Sequence, residues 1–470
     1  MSDAFDLVVR GGQVFVDGGL RRCDVGISQG RIAGLERDLP PGRQEIHASG
    51  RLVLPGGVDA HCHIEQRSST GLMTADDFLS GSLSAACGGT TTIVPFAAQH
   101  RGQSLEQVLA DAHRRAEARA AIDYSFHLMV SDAGERTLGD ELPRLIDRGY
   151  TSFKIYMTYE ALRLTDRQAL EVLALAGRLG GLTLVHAENH DMIGWLTERL
   201  LRAGHTAPRH HCDARPAVVE REAVERMIAL SEVAQAPVLF VHVSCGPALE
   251  AIRRARARGL SVYAETCPQY LMLSAQDLDR PGFEGAKFMC SPPPRSPEDQ
   301  RALWEGLVDG AFDVFSSDHA PYRFDDAGGK KVNGEDAPFP KVPNGVPSIE
   351  LRLPILFSEG VRKGRLGLAR FVALTAENPA RLFGLYPTKG TIALGSDADL
   401  AIWDPEAERI VTQGALHDRM DYTPFEGLSL SGWPITTLSR GEPIVREGRV
   451  QATPGRGRFV PRTRRALGAA

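Results

Sequence analysis

Two imidazoles one residue apart, His61 and His63, close the apolar run Leu52-Val53-Leu54-Pro55-Gly56-Gly57-Val58-Asp59-Ala60. On a β-strand alternate side chains share a face, so the pair would aim at one point, a geometry suited to a metal ion, while Cys62 between them would point into the core. Histidines at this spacing also decorate ordinary strands, so the reading depends on what later runs contribute. They contribute Lys154, His186, His242 and Asp318, each inside or just after an apolar stretch. A polar group left unbonded in such a place costs on the order of 2 to 7 kcal/mol. Six of them at comparable positions are therefore expected to partner one another or an ion. Four imidazoles and a carboxylate suit Zn²⁺, or Mn²⁺ or Co²⁺ in the same site, and are too rich in nitrogen for Ca²⁺ or Mg²⁺.

Lys154 is the odd member. An ammonium has no lone pair and repels a cation. If the neutral amine combines with CO₂ it becomes a carbamate, an anion whose two oxygens can bridge two ions. Two divalent cations, less one charge each for the carbamate, Asp318 and a bridging hydroxide, leave a net charge of about +1. The alternative is an ordinary lysine in a salt bridge with Glu188 or Asp318.

The elements that must position these groups follow a repeat. Eight strand-like runs are Val53–His63, Thr91–Phe96, Tyr124–Val130, Ser152–Met157, Thr183–Glu188, Val238–Val243, Ser261–Thr266 and Asp313–Asp318. Segments of helical spacing lie between them, such as Ser104–Ala121, Asp166–Leu179, Glu220–Ala234 and Gly246–Arg258. A βα unit repeated eight times predicts an α/β protein built on a parallel (β/α)₈ TIM barrel, with its active site where strands end. An open doubly wound sheet is the competitor, but no G-x-G-x-x-G follows any strand. Residues 1–53 and 386–454 instead alternate short β-like runs, including Gly390-Thr391-Ile392, with glycine turns. The two ends are expected to pair into a flanking β-sandwich around a barrel over 54–385, and 455–470 to form a loosely held tail.

Composition narrows the class. The chain has 470 residues, 43% hydrophobic and 24% charged, with a net charge of -5. It has no basic field for nucleic acid, and no stretch nears the roughly 20 apolar residues of a membrane span. The start, Met-Ser-Asp-Ala-Phe-Asp, is acidic where a secretion signal would be basic and then apolar, which predicts a cytoplasmic protein. Seven scattered cysteines without a CxxC argue against disulfides or a thiolate zinc site.

Several stretches together resemble the dihydropyrimidinase and D-hydantoinase family of cyclic amidohydrolases. They are Pro55-Gly-Gly-Val-Asp-Ala-His-Cys-His63, Thr74-Ala-Asp-Asp-Phe78, Gly88-Gly-Thr-Thr91, Ser152-Phe-Lys-Ile-Tyr-Met157, Val185-His-Ala-Glu-Asn189, Val241-His-Val-Ser244, Glu265-Thr-Cys-Pro-Gln-Tyr-Leu271, Cys290-Ser-Pro-Pro293 and Ser317-Asp-His-Ala-Pro321. The resemblance spans essentially the whole chain. It implies two divalent metal ions bridged by carbamylated Lys154 (N6-carboxylysine), one held by His61, His63 and Asp318, the other by His186 and His242. It also implies that Tyr159, Ser291 and Asn344 hold a cyclic amide, and that the protein is a homotetramer.

The implied reaction is hydrolytic opening of 5-substituted hydantoins, 5,6-dihydropyrimidines or both to N-carbamoyl amino acids. In it Tyr159 donates to the developing oxyanion, and Asp318 takes a proton from water and returns it to the leaving nitrogen. His319 could orient Asp318 or merely cap a loop, and packing is the expected role of Glu188, Asn189 and His190. Glu65 stands where dihydroorotases place an arginine, and the Asn-Glu-Pro signature of allantoinases is missing. A non-catalytic scaffold relative would have lost ligands, and all six positions are filled. The segment Ile64–Met73, which in the family helps wall the pocket for the ring substituent, departs from the hydantoinase pattern and is slightly longer.

Overall fold

The computed structural model describes residues 5–464; the first four residues of the acidic start and the last six of the expected tail lie outside the described residues. Eight strands run in the order Gly57–Cys62, Thr90–Ala98, His127–Met129, Ser152–Tyr156, Leu182–His186, Val238–Phe240, Val262–Thr266 and Val314–Phe315, each paired parallel with the next. The ring closes between the last and the first: Asp318 N donates to His61 O at 2.9 Å and His63 N to His319 O at 2.7 Å. This is a barrel and not an open sheet.

Helices fill the expected segments and begin where the sequence offers caps. Ser104 Oγ accepts from Gln107 N ahead of Leu105–Arg119. Thr165 and Gln168 cap Asp166–Arg178 reciprocally, satisfying backbone donors that the first turn leaves free. That helix buries Ala169, Val172, Leu173 and Ala176, the stripe its periodicity predicts.

The two chain ends share one flanking nine-stranded sheet and meet where Leu52–Pro55 pairs with Leu7–Val16 on one side and Leu400–Ile410 on the other. The sheet has a core of its own, joining Val9, Val14 and Val25 to Ile402 and Leu438. Three expectations change in detail. The barrel does not begin at 54: Leu54 and Pro55 belong with Val53 to the flanking sheet, because the apolar run is shared, and the chain leaves that sheet after Pro55 and enters the barrel at Gly57. The crossing requires glycine at 56, where an added Cβ would stand 2.2 Å from Thr91 Oγ1. Gly390–Ile392 forms no strand, although Ile392 is buried in the sheet's core. The tail, through residue 464, is not loose. Gly457 N bonds Ala120 O, Val460 N bonds Tyr124 O, and the buried Arg462 guanidinium reaches Ser152 Oγ and Phe126 O beneath the barrel. Arginine usually stays at the surface, but a guanidinium supplied with a carbonyl and a hydroxyl acceptor can be buried.

Candidate active site

A cavity of about 680 Å³ opens at the carboxyl ends of the barrel strands. His61, His63, Lys154, Tyr159, His186, His242, Ser291, Asp318 and Asn344 all line it, so every site residue expected from the sequence reaches one space. His61, His63 and Asp318 present ligand atoms within 4.8 Å of one another. The Asp318 carboxylate is 3.1 Å from His61 Nε2 and 3.2 Å from His63 Nε2. Burial pushes that carboxyl up, but the two imidazoles outweigh it and hold it well below the usual carboxylate range.

Three of the four imidazoles are oriented by a partner on one ring nitrogen. His61 Nδ1 lies 2.6 Å from Glu265 Oε1, His63 Nδ1 2.8 Å from Gln66 Oε1, and His186 Nε2 2.7 Å from Glu188 Oε2. Such partners fix the ring and raise its basicity toward a metal. His242 Nδ1 is buried and makes no hydrogen bond, and His61 Nε2 faces only the Asp318 carboxylate. A folded protein rarely leaves a buried imidazole nitrogen unmatched, and a divalent cation is the partner this donor set fits.

Lys154 is 1% exposed, and burial lowers its ammonium to about 8. The alternative salt bridge is not formed. Glu188 is engaged by His186 and Arg215, Asp318 by His61 and His63, and Nζ lies over the Phe96 and Tyr156 rings at 5.5 and 5.3 Å. Easy loss of its proton would make this amine nucleophilic toward CO₂.

The opposite wall carries Tyr159, whose ring centroid is 5.2 Å from that of His186. The Arg215 guanidinium stands 5.5 Å over the Tyr159 ring and is itself paired with Glu188. Burial raises the Tyr159 phenol, keeping it a protonated donor. Ser291 Oγ lies 3.2 Å from His211 Nε2, and Asn344 Oδ1 is buried without a partner. Tyr159, His242 and Asp318 have φ of +66°, +43° and +47°. This left-handed backbone is costly for side chains of this kind and tends to gather at functional sites.

His319 caps loops: Nε2 is 2.9 Å from Asp76 Oδ2, and Nδ1 accepts from Ser348 N at 3.1 Å. Asn189 caps the helix His190–Arg202, and His190 pairs with Glu160. Glu188 differs from its expected packing role, since it orients His186. Sequence reasoning passed over Glu265, Gln66 and Arg215. Glu265 carried the same mark as the expected ligands, a charged residue at the end of an apolar run; the other two lie in loops with no periodicity to flag them.

The Amidohydrolase family model matches residues 52–444. A D-hydantoinase from Rhizobium radiobacter is 43% identical over 458 residues, 97% of this chain and 99% of its own length. A solved D-hydantoinase superposes with a TM-score of 0.95 at 42% identity, covering 98% of this chain and all of the other. The dihydropyrimidinase from Brevibacillus agri NCHU1002 gives 0.94 at 42% identity, covering 98% and 99%. Barrel, cavity and likeness over nearly the full length agree: this chain belongs to the amidohydrolase family, in its hydantoinase and dihydropyrimidinase branch.

Proposed function

We propose that this protein is a metal-dependent cyclic amidohydrolase that opens 5-substituted hydantoins, 5,6-dihydropyrimidines or both by hydrolysis, giving N-carbamoyl amino acids. The observation that carries the reading is the convergence of four imidazoles, Asp318 and a lysine without a carboxylate partner on one cavity. The names of the relatives support the substrate class. His61, His63 and Asp318 would hold one divalent ion, His186 and His242 the other, and a carbamate on Lys154 would join them. Zn²⁺ suits the set best, with Mn²⁺ or Co²⁺ able to replace it. When bound, the ions would supply an acidified water and polarise the ring carbonyl.

The chain's own groups do the rest. Tyr159, protonated and fixed beneath Arg215, donates a hydrogen bond to the oxygen on which charge develops. Asp318, ionised in the ground state, takes the proton of the attacking water and delivers it to the ring nitrogen as the C–N bond breaks. Ser291 and Asn344 supply polar contacts to the amide edge and set its distance from Tyr159. The same reading makes the protein a cytoplasmic homotetramer. Among the described residues no helix is long and apolar enough to cross a membrane.

The test is a turnover panel of dihydrouracil, hydantoin, 5-phenylhydantoin, allantoin and dihydroorotate with metal-loaded protein. Opening of the first three and not the last two is expected. If none of the five is opened, catalysis on this ring class is wrong.

A further inference from the structure

Lys330 is fully buried, and none of the ion pairs among the described residues includes it. Its ammonium instead donates to two backbone carbonyls, Met289 O at 3.1 Å and Pro343 O at 2.9 Å. These carbonyls come from different loops. Two residues past Met289 is Ser291, and one past Pro343 is Asn344, the two residues expected to grip the amide edge. A third contact, Gly345 N to Met289 O at 2.9 Å, ties the same loops. The seat is tightly built: at Gly345, with φ +142°, an added Cβ would stand 2.4 Å from Ala320 O. Lys330 itself is anchored by its N–H to Arg323 O at 2.7 Å.

A buried lysine normally has a carboxylate partner, because an unpaired charge is costly in a poorly polarisable interior. Hydrogen-bonded only to carbonyls, this ammonium is lowered by burial to about 7. The bonding survives loss of the proton, since a neutral amine still has two N–H groups for two carbonyls.

We propose that Lys330 is a positioning residue that sets the gap between Ser291 and Asn344 by bridging the carbonyls of Met289 and Pro343, and so fixes the width of the slot that receives the cyclic amide. The proposal rests on the substrate reading above. It requires Lys330 to act on substrate binding and not on the metal ligands, none of which it touches. Removing the bridge lets the two loops part, weakening ground-state and transition-state contacts alike, and a loss of that kind raises KM at nearly constant kcat.

Lys330→Met keeps the length of the stem and removes the donors. In metal-loaded full-length protein, KM for dihydrouracil or hydantoin should rise about tenfold while kcat stays within about twofold. Bound metal should be unchanged. Hydrogen exchange, followed by mass spectrometry, should speed up at residues 286–293 and 340–347 with the barrel strands unaffected. Lys330→Gln, whose amide nitrogen carries two N–H groups, should recover part of the KM. An unchanged KM overturns the proposal, and so does a fall in kcat or metal content matching the loss of kcat/KM, which would make Lys330 a general packing residue. If wild-type protein opens neither ring, the substrate reading fails and takes this proposal with it. Faster exchange in the two loops would then be the mark of a structural tie alone.

Discussion

Lys389 offers a sharp test of how the flanking sheet is joined to the barrel. Its side chain is 0% exposed, and Nζ lies 2.6 Å from Asp123, 2.9 Å from Asp397 and 2.8 Å from Asp399. Asp123 belongs to the short strand beside the second barrel strand, whereas Asp397 and Asp399 lead into the flanking sheet. Lys389→Met removes the cation and leaves three acceptors facing one another. Breaking a buried ion pair from one side costs about 3 to 5 kcal/mol. Asp123 keeps Arg440 and Arg458 N, and Asp399 keeps Arg440 N, so the loss should fall near the lower end, about 3 kcal/mol. Urea unfolding followed by tryptophan fluorescence at pH 7.5 reads the loss. Adding Asp399→Asn should restore part of the midpoint. A single variant that unfolds at the wild-type urea concentration would refute the reasoning.

Three predictions concern the site. Lys154→Ala should lose bound metal and turnover together, measured by elemental analysis and ring-opening assay; wild-type metal content and rate in that variant would remove the bridging carbamate. Tyr159→Phe deletes one oxyanion donor, so kcat should fall about a hundredfold with metal retained, and an unchanged rate would refute its role. Gln66→Leu takes the acceptor from His63 Nδ1, and competition with a chelator should show metal affinity about 10- to 100-fold weaker.

Much of the candidate site's geometry was legible in the chain because barrel strands write a regular pattern. Their apolar runs mark where each strand lies, and a polar residue at the end of one, such as His61, His186 or Asp318, marks the mouth of the barrel. The periodic helices and their caps were legible for the same local reason. Loops carry no period, so Arg215 over Tyr159 and Lys330 between two carbonyls could not be read from spacing. In the long run through Leu52 and Cys62 a boundary after residue 53 falls two residues short of the strand that ends at Pro55, because a residue buried in the flanking sheet and one buried in the barrel are equally apolar; only the partners they meet separate them.

The amino-acid sequence by itself determined the repeat of strands and helices, the residue types offered at each strand end and the family likeness, since these depend on neighbours along the chain. Tertiary structure alone decided which ring nitrogen of His61 and of His186 a carboxylate holds, which carboxylates are paired with groups other than Lys154, and how the arginine-rich end folds back beneath the barrel. Those outcomes depend on groups that are distant in sequence and within about 3 Å in space, and hydrogen bonding and charge pairing act only at that range.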